Sequence, residues 1–142
     1  VSTQSTGTMN WKQQLVDAAI AASKKAYCPY SNYQVGAALL VAGTQENPQI
    51  ICGCNVENAS YPCGQCAEKT AIGAAVVAGY TKFDALACMT KDGGSPCGQC
   101  RQAINEFGPN MHIILCKPDG SITLECKLNE ILPHAFGPQN LL

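Results

Sequence analysis

The sequence predicts an α/β fold, a three-layer α/β/α domain built around one mixed five-stranded sheet. Five short apolar segments with strand character are interleaved with helical segments after an opening pair of strands, which predicts helices on both faces of a sheet. The chain has 142 residues, 46% of them apolar and 13% charged, which suffices for one core and not for two ordinary domains. We therefore expect a single domain over residues 10–142, after a polar and flexible segment at 1–9.

The first predicted elements are a helix and a strand hairpin. Asn10 is a suitable N-cap, and apolar residues recur after it at helical spacing, so we predict a helix to about residue 26. A near-continuous apolar run at 33–42 predicts a buried strand. A polar turn then leads to a second strand from 49 to about 55, and the two strands form a predicted hairpin.

Helices and strands alternate through the rest of the chain. Residues 56–65 contain Asn, Pro and Gly and favour a loop, whereas residues 66–78 are rich in Ala, contain no Pro and favour a buried helix that stops at Gly79. The further predicted elements are a strand at 84–90, a loop at 91–96, a helix at 97–107, strands at 111–116 and 121–126, and a helical turn at 128–132.

The charge pattern argues against polyanionic partners. Nine Lys and Arg oppose ten Asp and Glu, for a net charge of −1, and no basic run is present, so neither nucleic acid nor an anionic membrane surface is expected as a ligand. The longest apolar run, 35–42, is far below the roughly 20 residues that span a bilayer, and residues 1–9 lack the apolar region of a secretion signal. We expect a soluble cytoplasmic protein that binds a small, nearly neutral molecule.

Ten cysteines are many for such a chain, and in a reducing compartment they indicate metal binding or buried thiols. Four of them lie in a repeated pentapeptide, Pro-Cys-Gly-Gln-Cys, at 62–66 and 96–100. Each copy leads into a predicted helix. Because a helix N-terminus is electropositive, we expect it to lower the pKa of these thiols and favour the thiolate form that ligates zinc.

The cysteine pattern is compatible with two kinds of zinc site. Four cysteines could form a closed site, which stabilises a fold without catalysis. Glu68, two residues after Cys66, favours the other arrangement, because a carboxylate beside four thiolates would only add negative charge. In that open site Cys66, Cys97 and Cys100 hold the metal, water takes the fourth position and Cys63 stays unligated.

The sequence around these residues resembles a known family. Cys66-Ala67-Glu68 followed by the second pentapeptide is similar to the signature of the zinc-dependent nucleoside and nucleobase deaminases. The resemblance to the short cytidine deaminases is closer and covers roughly residues 27–136. Its further motifs are Pro-Tyr-Ser-Asn-Tyr-Gln-Val-Gly-Ala-Ala-Leu at 29–39, Asn-Val-Glu-Asn-Ala-Ser-Tyr at 55–61, Cys-Arg-Gln at 100–102 and Leu-Pro-His-Ala-Phe at 132–136.

The resemblance implies a cytidine deaminase-like fold and an activity. It implies one zinc ion per subunit, hydrolysis of cytidine, and of deoxycytidine, to the uracil nucleoside and ammonia, and a place in pyrimidine salvage. Another amino-heterocycle remains an alternative substrate, because the fold and the zinc site do not fix what enters the pocket. The resemblance also implies a homotetramer with pockets at its subunit interfaces.

Roles for individual residues follow from the same resemblance. Glu68 is the expected proton shuttle. The expected substrate-binding residues are Tyr33, Asn55, Glu57, Ala67 and, from a neighbouring subunit, Phe136. The negative charge of three thiolates must also be offset; the candidates are the two helix N-termini, Arg101 and Lys69, with Gln102 as a candidate hydrogen-bond donor to a cysteine sulfur. Lys69 stands where the family usually carries arginine, and a lysine lacks the planar fork that could bridge two sulfurs.

Overall fold

Five strands form one mixed sheet in the computed structural model of the chain, which describes residues 10–142. In spatial order they are β2 (Ile50–Cys54), β1 (Gly36–Val41), β3 (Phe83–Met89), β4 (His112–Cys116) and β5 (Ile122–Lys127). β3 and β4 run parallel, and the other neighbouring pairs are antiparallel. The predicted mixed sheet and the opening hairpin are confirmed, whereas the segment predicted to be flexible, 1–9, lies outside the described residues.

Helices cover both faces of the sheet, as predicted. α1 (Trp11–Ser23) packs on one face, where Leu15 belongs to the same buried cluster as Ile114 of β4. On the other face lie α2 (Ala67–Val77), α3 (Gly98–Asn105) and the short α4 (Leu128–Ile131), whose buried side chains join a second cluster with Leu86 of β3. Within 10–142 no helix combines the length and the apolar character that crossing a membrane requires.

Two glycines let the helices approach the sheet closely. A Cβ at Gly36 would collide with the backbone of Ala19 in α1, and a Cβ at Gly53 would collide with the backbone of Ala71 in α2. β1 lies between these helices and is buried along its whole length, which is why its sequence shows no apolar and polar alternation. The close contact of α2 with β2 fixes where the N-terminus of α2 lies.

Several predicted elements end early, for local reasons. The predicted N-cap is confirmed, since Asn10 Oδ1 accepts from Gln13 N at 2.9 Å, but α1 ends at Ser23 rather than near residue 26. β1 begins at Gly36 rather than at 33, because the side chain of Asn55 takes the hydrogen bonds of the preceding backbone. A 3-10 turn at Pro138–Asn140 was not predicted.

Candidate active site

Three cysteine sulfurs meet where α2 and α3 begin. Cys66 is the N-cap of α2, Cys97 is the N-cap of α3, and Cys100 lies in the first turn of α3. Their Sγ atoms all lie within 4.8 Å of one another, and Cys63, which ends an exposed 3-10 turn, is not in this group. Zinc–sulfur bonds of about 2.3 Å in a tetrahedron place sulfurs roughly 3.8 Å apart, so these three donors fit a zinc ion.

Glu68 lies directly beside the sulfurs. It is in the first turn of α2 and is 4% exposed, so its carboxylate is held inside the protein. Its Oε2 accepts from Cys100 Sγ at 3.5 Å, and its Oε1 accepts from Cys88 Sγ at 3.4 Å. A carboxylate in this position can exchange protons with a molecule bound at the three-sulfur site.

The thiols differ in proton affinity, which corrects the expectation that both helix N-termini lower the pKa. For Cys97, burial opposes ionisation, but hydrogen bonds from the backbone of Cys100 and Gln99 help to bring the pKa below its ordinary value. For Cys66 and Cys100, burial is the largest effect, and it raises the pKa with help from the nearby charge of Glu68. A metal that binds here must therefore displace protons from at least two thiols.

An open cavity of about 810 Å³ leads to the sulfurs. Ala67 and Lys69 line it beside the cluster, and Tyr33, Asn55 and Glu57 line it as well. These five residues, all named in the sequence analysis, are thus brought together with Glu68 and the three cysteines. The other predicted residues, Arg101, Gln102 and Phe136, are not among those lining the cavity.

Asn55 and Glu57 support the backbone that precedes β1. Asn55 Oδ1 accepts from Val35 N at 2.9 Å, and Asn55 Nδ2 donates to Tyr33 O at 2.8 Å. Glu57 Oε1 accepts from the backbone N–H groups of Tyr30 and Ser31, at 3.0 and 3.1 Å. Hydrogen bonds from Ser31 are the main cause that lowers the pKa of Glu57, so this carboxylate is ionised at neutral pH. Both side chains are therefore fixed in place.

The basic residues near the cluster have partners other than sulfur. The Arg101 guanidinium donates to Pro96 O at 2.8 Å, to Ile131 O at 2.7 Å and to the hydroxyl of Ser95. It thereby braces the backbone that leads to Cys97. Lys69 Nζ donates to Gln99 Oε1 at 3.3 Å, on the wall of the cavity.

Gln102 and Phe136 meet on the far side of α3. Gln102 Nε2 donates to Phe136 O at 2.9 Å, and Asn105 Nδ2 donates to the same carbonyl at 3.3 Å. The amide of Gln102 thus has the C-terminal segment as its partner, where a cysteine sulfur was expected. The ring of Phe136 is 61% exposed, and these two hydrogen bonds hold its backbone in place.

Several residues of the site were not predicted. Tyr61, Thr90 and Asp92 line the cavity, and Asp92 Oδ1 accepts from the Tyr33 hydroxyl at 2.6 Å. This bond lowers the pKa of Asp92 and raises that of Tyr33. Cys88 is buried, and its contact with Glu68 was not predicted. Tyr61 ends the family motif at 55–61 but was given no role of its own. No motif marks Asp92 or Cys88, because their contacts with Tyr33 and Glu68 join distant segments.

Comparisons with known proteins agree with this geometry. The family model described as "Cytidine and deoxycytidylate deaminase zinc-binding region" matches residues 9–116. A cytidine deaminase of Sporosarcina psychrophila is 44% identical over 133 residues, which are 89% of this chain and 94% of that protein. One from Halalkalibacterium halodurans is 40% identical, over 92% of this chain and 97% of the relative.

Solved structures show the same fold. The crystal structure of cytidine deaminase from Burkholderia pseudomallei superposes with a TM-score of 0.78 at 42% identity, covering 87% of this chain and 97% of that one. Cytidine deaminase from Mycobacterium tuberculosis gives a TM-score of 0.74 at 36% identity, covering 92% and 99%. With its three-cysteine cluster, its adjacent glutamate and these relatives, the chain belongs to the zinc-binding cytidine and deoxycytidylate deaminase family.

Proposed function

We propose that this protein is a zinc-dependent cytidine deaminase, which hydrolyses cytidine and deoxycytidine to the uracil nucleoside and ammonia. The observation that carries this proposal is the buried Glu68 carboxylate beside three thiols, at the end of an open cavity. In the proposed enzyme, one zinc ion per chain is held by Cys66, Cys97 and Cys100. The strong similarity to cytidine deaminases over most of the chain supports the choice of substrate.

Glu68 has the role of a proton shuttle in this proposal. Zinc held by the three cysteines would lower the pKa of a water molecule from far above neutral to about 7, which would make a hydroxide nucleophile available at neutral pH. Replacement of the amino group at C4 of cytosine requires one proton at ring N3 and one on the departing amine. Glu68 takes one proton from the water and delivers it to N3. It then takes the remaining proton from the hydroxyl group now on C4 and delivers it to the nitrogen that leaves as ammonia, so that C4 becomes the carbonyl carbon of uracil.

The charge of the cavity favours a nucleoside over a nucleotide. Three carboxylates line it, those of Glu57, Glu68 and Asp92, against one ammonium group, that of Lys69. A 5′-phosphate would be repelled by this excess of negative charge. Asn55 and Glu57 are proposed to bind the ribose hydroxyls, Glu57 through the carboxylate oxygen that does not accept from Tyr30 and Ser31.

Tyr33 and Ala67 are proposed to contact the cytosine base. Tyr33 offers an aromatic ring on the cavity wall, and its hydroxyl is held by Asp92 at 2.6 Å, so the ring is fixed before the substrate arrives. Ala67 lies next to Cys66 at the cavity, and its side chain is fully buried. A preorganised wall of this kind lowers the entropy lost when a substrate binds.

Three basic and polar residues are proposed to support the thiolates from outside the cluster. Lys69 offers a positive charge near the sulfurs in place of the family's usual arginine. Arg101 acts through the loop before Cys97, which its guanidinium braces. Gln102 acts through its hydrogen bond to Phe136 O.

Assembly and cellular role are proposed from the family resemblance. We expect a cytoplasmic homotetramer in pyrimidine salvage, in which Phe136 of one subunit completes the pocket of another. The 61% exposure of the Phe136 ring in the isolated chain supports this, since a large apolar side chain on a braced backbone suits an interface. Size-exclusion chromatography with light scattering measures the assembly directly.

The substrate is tested by comparing rates. Purified zinc-loaded protein should change the ultraviolet spectrum of cytidine and release one ammonia per turnover. Cytosine and adenosine should react far more slowly. Faster turnover of either one than of cytidine would assign the protein to a related deaminase, and no turnover of any of them would favour a structural zinc module.

The role of Glu68 is tested by an isosteric change. Glu68→Gln keeps the size of the side chain and removes its ability to shuttle protons. We expect kcat to fall about 10²- to 10⁴-fold while zinc stays bound, as for the loss of a general acid–base group. Wild-type turnover by a zinc-loaded Glu68→Gln protein would refute the mechanism.

A further inference from the structure

Cys88 is a buried thiol that the proposed reaction does not use. It lies on β3, the central strand of the sheet, and is 1% exposed. It pairs with Ala37 on β1 and with Leu115 on β4, so β3 is hydrogen-bonded to a neighbouring strand on each side. It is not among the residues that line the active-site cavity, yet its Sγ lies 3.4 Å from Glu68 Oε1.

The two oxygens of Glu68 have different thiol neighbours. Oε2 accepts from Cys100, which belongs to the metal cluster, and Oε1 accepts from Cys88, which does not. A cysteine that ligates zinc is a thiolate and has no proton to donate. Of these two donors, Cys88 is therefore the one that persists when the metal is bound.

The environment of Cys88 keeps it a donor. Burial raises the pKa of its thiol, and the carboxylate of Glu68 raises it further. The thiol is a weak donor, but both it and the carboxyl oxygen that accepts from it lie inside the protein, where water does not compete for the bond. A glutamate side chain has three rotatable bonds, and an anchor at one oxygen restricts all of them.

We propose that Cys88 is a positioning residue for Glu68: its S–H group holds Oε1 against β3 and so directs Oε2 toward the metal site. This inference rests on the proposed catalytic role of Glu68. Cys88 touches neither substrate nor metal, and it acts only through the orientation of the carboxylate. The rigid central strand thus sets the position of the proton shuttle, although the shuttle itself is on a helix.

Kinetics of matched variants form the first arm of the test. Cys88→Ala, in the zinc-loaded enzyme, should lower kcat roughly three- to tenfold, the loss expected for one hydrogen bond, and leave KM within about twofold. Cys88→Ser retains a donor of similar size and should restore most of kcat. Cys116→Ala is the control for the loss of a buried thiol: Cys116 is equally buried on β4 and packs on the other face of the sheet, where its Sγ lies 3.7 Å from the backbone O of Cys88.

Infrared spectroscopy forms the second arm and does not depend on turnover. Subtracting the spectrum of Cys88→Ala from that of the wild type isolates the S–H stretching band of Cys88. The same subtraction in a Glu68→Ala background should place that band at higher frequency, because the hydrogen-bond acceptor is gone. A band that stays at the same frequency would show that Cys88 does not donate to Glu68.

The outcomes separate this proposal from the proposed function. A band unmoved by Glu68→Ala overturns the positioning role, and so does a Cys88→Ala enzyme with wild-type kcat or a Cys116→Ala enzyme slowed as much as Cys88→Ala. The positioning role is supported if Cys88→Ala lowers kcat, Cys88→Ser restores most of it, and the S–H band shifts. Full activity of Glu68→Gln would instead refute the proposed function while leaving the band shift intact.

Discussion

The two Pro-Cys-Gly-Gln-Cys segments are identical in sequence and differ in structure. In the first, at 62–66, the helix begins after the segment, and Cys66 is its N-cap. In the second, at 96–100, the helix begins inside the segment, Cys97 is the N-cap and Cys100 lies one turn further on. The first segment therefore gives one sulfur to the cluster and the second gives two.

The difference shows that the start of the helix, rather than the local sequence, decides which cysteine joins the three-sulfur cluster. Cys63 precedes its helix and ends a 3-10 turn that leaves it exposed, whereas the matching Cys97 caps a helix. The residues after the two segments differ as well. Glu68 comes after the first and faces the sulfurs, and Arg101 comes after the second and braces the loop before it.

The largest expected effect comes from removing cysteines of the two segments in turn. Cys66→Ala and Cys97→Ala each remove a sulfur of the cluster and should reduce bound zinc to well below one per chain, with activity lost. Cys63→Ala is the matched change at a cysteine outside the cluster, and it should leave both the bound zinc and the activity unchanged. Zinc content by atomic absorption measures this, and loss of zinc in Cys63→Ala would show a closed four-cysteine site.

An effect of intermediate size is expected for the basic residues after the two segments, whose removal should change the free energy of unfolding by different amounts. Arg101→Ala leaves the carbonyls of Pro96 and Ile131 without their charged donor, and we expect the free energy of unfolding to fall by about 2 kcal/mol. Lys69→Ala removes one exposed hydrogen bond, to Gln99, and should change it by less than about 0.5 kcal/mol. Urea unfolding compares them, and equal losses would refute the bracing role of Arg101.

The smallest expected effect is at the glycines of the two segments. A Cβ at Gly98 meets nothing within 4 Å, and Gly98 opens α3, so Gly98→Ala should raise the free energy of unfolding by a few tenths of a kcal/mol, less than the roughly 1 kcal/mol of a helix interior. A Cβ at Gly64 would lie 3.3 Å from Tyr61 O, so Gly64→Ala should lower it slightly. Opposite signs in thermal unfolding confirm the difference, and equal signs contradict it.

Patterns of short range predicted most of the fold. Apolar runs and turn residues located all five strands within a few residues, and Asn10 marked the start of α1. The predicted start of β1 was wrong. At Val35 the side chain of Asn55, from the end of β2, accepts the hydrogen bond of the backbone N–H in place of a neighbouring strand. Such a contact depends on the register of the hairpin, which the sequence pattern does not specify.

In the candidate site, too, local sequence motifs predicted some residues and missed others. The residues that line the cavity and carry a family motif, such as Glu68 and Asn55, were predicted from that motif. Asp92 and Cys88 were not, because their partners Tyr33 and Glu68 are far away in sequence and meet only after the sheet has formed. The pKa of Cys66 was predicted with the wrong sign, because burial outweighs the helix N-terminus.

X-ray absorption at the zinc edge of the purified protein tests the central claim most directly. An open site held by Cys66, Cys97 and Cys100 predicts three sulfurs at about 2.3 Å and one oxygen or nitrogen at about 2.0 Å. Addition of a cytidine analogue that mimics the hydrated base should alter the light-atom shell and leave the sulfur shell unchanged. Four sulfurs at the zinc, with or without the analogue, would contradict the account.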